Sequence, residues 1–159
     1  MAEQQAKPRR VEIDAAEMLE ALEDISHAHT RLIRSLRSTL VRVKRDMVDE
    51  GLQQSVLAGL RRLRVMRNRL ARFFGGIDAE VDEVELKGSK ELVENVATLS
   101  EFMLIVAIPA EEEVLKRTLL LAKRGAGLLA KHSDAIRQDL EQLRKLSRLL
   151  ELIVEKYYE

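Results

Sequence analysis

Twelve cations fall between Arg31 and Arg72: Arg31, Arg34, Arg37, Arg42, Lys44, Arg45, Arg61, Arg62, Arg64, Arg67, Arg69 and Arg72. Only Asp46, Asp49 and Glu50 oppose them, so the stretch carries +9 in a chain whose formal charge is zero. The residues before it sum to −4 and those after it to −5, so charge is segregated along the chain. A guanidinium group presents a planar fork of donors that fits two oxygens of one phosphate. Outside the stretch Arg and Lys stand at seven to eight, whereas inside it they stand at eleven to one. Residues of this type at this density point to contact with a chain of phosphates.

What accompanies the arginines narrows the polyanion. Proteins that hold single strands stack bases on aromatic side chains. This stretch has none, and Phe73 and Phe74 just beyond it read as core. Readers of base edges set Asn or Gln beside Arg, and here only Asn68 interrupts the basic helix. Contact with the backbone of double-stranded DNA fits better. Neutralising six to ten phosphates would make log affinity fall with log salt at a slope of roughly −5 to −9.

Other residues capable of chemistry carry weaker patterns. Asp24 and His27 lie three apart on one helix face, but the further Glu-x-x-His units of a di-iron bundle are not found, so no metal is expected. His132 falls near a helix end, where it suits the dipole. Glu111, Glu112 and Glu113 are consecutive and therefore point ~100° apart on a helix, which fits an N-terminal first turn and not a shared reaction centre. No phosphate loop, His-Glu-x-x-His motif or nucleophile elbow occurs. Neither catalytic residues nor a cofactor are expected. A small helical enzyme binding an anionic substrate would use two or three of the cations and leave the others unexplained.

The elements that must position the arginines are helices. The 159 residues are 46% apolar and 3% aromatic, with seven Gly, two Pro and no Cys, which predicts an all-α protein without disulfides. Residues 1–13 read as an N-terminal arm whose Lys7, Arg9 and Arg10 could touch the same polyanion. Asp14 three before Glu17 marks a helix start, with Ile13 and Met18 as a hydrophobic staple. Apolar and small residues at helical spacing carry that helix to Gly51, the expected terminator. Leu52 to Phe74 reads as a second, antiparallel helix, so residues 14–76 form a long basic hairpin with its acidic first half projecting beyond it.

Gly75 and Gly76 open an acidic stretch, 77–88, read as a solvated linker and hinge. Residues 89–159 read as a three-helix bundle: one helix capped by Ser89, a second starting at Pro109, and a third capped by Ser133. The apolar run Phe102 to Ala110 is either core or a contact for another subunit. At nine residues it is about half of what a spanning helix needs, so no membrane span is expected. The polar N-terminal residues lack the apolar core of a secretory signal. The Glu, Lys, Arg and Leu bias, with two Asn, suits a hot-living source.

A neutral chain with a basic interior segment and acidic flanks suits side-by-side coating of nucleic acid. In the Arg31 to Arg72 hairpin, the long helix from Asp14 and the bundle from Ser89 to Tyr158, the chain resembles the major capsid proteins of filamentous archaeal viruses. That resemblance is architectural and rests on no sequence motif. It implies a virion protein that wraps double-stranded DNA, in the A form, with basic helices and assembles with itself or a closely related second subunit. Without it the expected location is the cytoplasm. Two rival readings are a helical subunit of an RNA-guided complex and a membrane-remodelling filament of the ESCRT-III type.

Overall fold

A computed structural model describes residues 9–158. Lys7 of the expected basic arm lies outside the described residues. The chain enters as a strand, β1 (Arg10–Asp14), so the segment taken for an arm is part of the fold, and Ile13 is buried. Asp14 then caps α1 (Ala15–Arg45) by accepting from the Glu17 amide at 3.0 Å, the start its spacing predicts.

The first helix stops earlier than Gly51. Asp49 accepts from the Leu52 amide at 3.1 Å and caps α2 (Glu50–Ala71), so Gly51 lies within the first turn of α2. A carboxylate that satisfies an orphan amide outcompetes the glycine as the turn signal. The helices form the expected antiparallel hairpin: a Cβ built on Gly59 would meet Leu36, and Arg69 bonds Asp24 at 3.3 Å. After a single 3₁₀ turn over Arg72–Phe74, Gly75 and Gly76 take φ of 99° and 114° and turn the chain back.

The stretch expected to be a linker instead contains β2 (Glu83–Lys87), paired in parallel with β1 so that Val11 lies beside Val84 and Ile13 beside Leu86. Its acids hid it: Arg10 pairs with Glu85, and Lys87 with Glu85 and Glu12, so charges that look solvated hold the strand pair. Ser89 caps α3 (Lys90–Phe102) through the Leu92 amide.

The α3 helix does not end at Pro109. A wide π-helical turn over Met103–Ala107, in which the Ile108 amide reaches the Met103 carbonyl, leads directly into α4 (Ile108–Arg124). Pro109 cannot donate to a carbonyl four residues back and would crowd it; the widened turn relieves both problems. Gly125, at φ 125°, ends α4. A short α5 (Gly127–Ala130) leads to α6 (Ser133–Tyr157), whose N-cap is His132 and not Ser133. Beyond the end of α6, the neighbouring Glu101 carboxylate raises the pKa of the Tyr158 phenol.

The protein is essentially all-α, with a two-stranded parallel sheet at one end. The hairpin and the later helices share one apolar core: α1 packs on α3 and α4, α2 packs on α6, and Val84 of the supposed linker joins the same cluster. The run Lys90–Arg124 is long and apolar enough, by length and composition, to cross a membrane, and 33% of its most apolar window is buried. A count of consecutive apolar residues missed this because Glu101 interrupts the run.

The same order of elements occurs twice: strand, long helical run, antiparallel return helix. Arg10-Val-Glu-Ile-Asp14 and Glu83-Val-Glu-Leu-Lys87 open the two halves. Along the first long helix, Ala21, Leu22, Ile25, Leu32, Ile33, Leu36, Leu40 and Val43 are buried. The residues 75 positions later, Val96, Ala97, Ser100, Ala107, Ile108, Glu111, Leu115 and Thr118, are buried too. Where the halves meet, residues 75 apart bond each other: Gln53 with Leu128, Arg64 with Asp139, Arg67 with Gln142.

Candidate nucleic-acid interface

The twelve cations divide by helix face. On α1, Arg31, Arg34, Arg42 and Arg45 are exposed and lie within roughly 80° of one another at ~100° per residue, forming one file along the helix. On α2, Arg61, Arg62, Arg69 and the continuing Arg72 form a second exposed file. Arg69 reaches across to Asp24, which precedes Arg31 by two turns on the same side of α1, so the two files border each other on one outer face of the hairpin. The antiparallel register set by Gly59 against Leu36 and Arg69 against Asp24 places Arg61 and Arg62 opposite the turn that carries Arg31 and Arg34.

Four cations are taken up within the molecule. Arg67 is buried, 2% exposed, and donates to Glu111 at 3.1 Å, to Asp139 at 3.1 Å and to Gln142 at 3.1 Å. Arg64 holds Asp139 with a two-pronged fork, Nε to Oδ1 at 2.7 Å and Nη2 to Oδ2 at 2.8 Å. That bond raises the Arg64 pKa against the opposing effect of burial. Arg37 bonds Glu113 at 3.3 Å and Arg69 bonds Asp24 at 3.3 Å, both in the open. Arg67 therefore leaves the set of phosphate-contacting residues, and Arg64 is committed to Asp139. The acidic half of α1, expected to project beyond the hairpin, instead meets Arg69, and α4 and α6 pack against α1 and α2 and bring carboxylates to the hairpin's arginines.

The carboxylate that the sequence reading assigned to a dipole turns out to be a hub. Glu111 is 4% exposed and accepts from the His29 ring at 2.8 Å as well as from Arg67. Glu112 and Glu113 pair instead with Lys116 and Arg117 on the surface. His29, Arg67, Glu111 and Asp139 thus form a buried polar cluster linking α1, α2, α4 and α6, in which Arg67 Nε has no partner among the described residues. Each member occupies a position of its helix's apolar stripe: His29 between Ile25 and Leu32, Arg67 between Leu63 and Leu70, Asp139 between Ile136 and Leu143. Charged residues of opposite sign embedded in such stripes are the signal that could have revealed them.

The other eight cations, Arg31, Arg34, Arg42, Lys44, Arg45, Arg61, Arg62 and Arg72, are exposed, and none has a carboxylate within ion-pair distance among the described residues. Lys44 points away from the α1 file. Among the described residues no group of three or more His, Asp or Glu is placed to hold a metal ion. In comparisons with known proteins, no family model matches the chain, and no curated protein and no solved structure matches it. The functional reading therefore rests on this geometry.

Proposed function

We propose that the protein is a non-enzymatic structural protein that binds double-stranded DNA through the outer face of the α1–α2 hairpin and coats it in many copies. One observation carries the reading: two neighbouring helices present exposed arginines that, among the described residues, no carboxylate pairs with, and Arg31, Arg34, Arg61 and Arg62 are set across from one another. Like charges so crowded repel unless an external anion lies between them. Rigid helices hold the guanidinium groups in files, which suits the regular phosphates of a duplex more than a flexible single strand. Aromatic side chains on which bases could stack are missing from these files.

The test is a salt titration of duplex binding by the full chain, read by fluorescence anisotropy. With six to eight phosphates neutralised, log affinity should fall with log salt at a slope of about −5 to −7. A flat titration overturns the reading. Recruitment to anionic vesicles in place of DNA, in the same buffer, would move the arginine face to a membrane surface.

A further inference from the structure

The arginine file on α2 runs into a cleft. About 530 Å³ of space lies between α2 and the link from α5 to α6, lined by Gln54, Ser55, Ala58 and Arg61 on one side and by Leu128 and His132 on the other. At ~100° per residue, Gln54, Ala58 and Arg61 share a sector of roughly 60° with Arg72, at the far end of the same file. The short side chains of Ser55 and Ala58 leave room on a face that carries arginines further along. The opposite wall is held in place by buried Gln53, which accepts from the Leu128 and Leu129 amides at 2.9 and 3.1 Å and donates to the Met47 carbonyl at 2.8 Å.

We infer that this cleft holds a phosphate group, with the Arg61 guanidinium, the Ser55 hydroxyl, the Gln54 amide and the His132 ring as its donors. It deepens the proposed DNA binding and rests on that reading for the duplex as the source of the phosphate. All four groups can donate to oxygen, and no Asp or Glu among the described residues lines the cleft. The carboxylates nearby in sequence lie outside it: Asp49 caps α2 through the Leu52 amide, Asp134 bonds Arg137 at 3.0 Å, and Glu50 is exposed at the start of α2. His132 is the N-cap of α6 and its side chain makes no capping bond, so the ring stands at the positive end of a 25-residue helix, where an anion is favoured. A tetrahedral phosphate directs oxygens to both walls at once, which a planar carboxylate does not, and the Arg61 fork suits two of them.

Inorganic phosphate, titrated into the isotope-labelled full chain without nucleic acid at constant pH and ionic strength and followed by NMR, tests the site. Phosphate should shift the Gln54 and Ser55 amide signals and the His132 ring signals saturably, and chloride and acetate should not. Ser55→Leu, which fills the cleft, and His132→Gln should each weaken phosphate binding about tenfold, the loss expected for one hydrogen bond to a charged group. Both positions are exposed, so the melting temperature should stay unchanged. Lys90→Gln, which removes an exposed cation from α3, should leave phosphate binding as it was. Shifts that are absent, that acetate reproduces or that both cleft variants leave intact overturn the inference, whatever the salt titration of duplex binding shows. Where the site is present, duplex affinity identifies the source. A tenfold loss in both variants assigns the phosphate to the DNA backbone, and unchanged duplex affinity beside lost phosphate binding assigns it to a small phosphorylated ligand.

Discussion

The two halves of this protein bury the same pattern and expose different chemistry. Leu32, Leu36 and Leu40 on α1 have Ala107, Glu111 and Leu115 as buried counterparts on the α3–α4 run. On the outward side, however, Arg31 and Arg34 correspond to Val106 and Pro109. A buried position is constrained by every neighbour it touches, and an exposed one is free to change without loss of packing. The comparison separates what holds the fold from what the surface displays: one half presents a row of exposed guanidinium groups, the other an exposed apolar row. Between the halves lies a third environment, in which charges are buried and internally matched, with Arg67 and Arg64 meeting Glu111 and Asp139.

The sharpest way to break this division is to treat two arginines of one helix alike. Arg67→Leu would strand Glu111 and Asp139 inside the core and should cost about 3–5 kcal/mol in urea unfolding. Arg62→Leu, on the exposed file, should change stability by less than about 0.5 kcal/mol. Equal losses would mean that the buried network does not join the halves.

A second substitution set acts on function alone. Replacing Arg31, Arg34, Arg61 and Arg62 by Gln should reduce the steepness of the salt dependence on duplex DNA by about four units, near one per phosphate contact, with the unfolding midpoint little changed. An unaltered salt slope would show that the phosphates do not run along this face. The smallest effect probes how closely the hairpin packs. A Cβ on Gly59 would lie 2.5 Å from the Leu36 side chain. Gly59→Ala should therefore destabilise the protein by about 1 kcal/mol, overpacking of 1–3 kcal/mol outweighing the ~1 kcal/mol that alanine gains in helix propensity. Thermal unfolding measures it, and a stabilised variant would mean that α1 and α2 can move apart.

Much of this was legible in the chain because it is local. The cap at Asp14, the cap at Ser89, the antiparallel hairpin and the helical stripes all depend on residues within a few turns of each other. Gly51 misled because a carboxylate two residues earlier satisfies the next helix's amides. The segment 77–88 misled because Val84 and Leu86 become a strand only when Val11 and Ile13, more than seventy residues away, lie beside them. Glu111 looked like a first-turn acid among three, and only the packing of α4 on α1 and α2 turns it toward His29 and Arg67.

By itself the sequence determined that helices would form, where most of them begin, and that one stretch would carry an excess of guanidinium groups, since periodicity, caps and charge are properties of neighbours along the chain. Which arginines stay in solvent was decided only by the tertiary structure. Helix packing brings Glu111, Glu113 and Asp139 within bonding distance of Arg67, Arg37 and Arg64 and, among the described residues, leaves the outer files without carboxylate partners apart from Arg69, which meets Asp24. The physical reason is the short range of an ion pair: a carboxylate more than forty residues away in sequence neutralises an arginine only when the fold sets them a few ångströms apart.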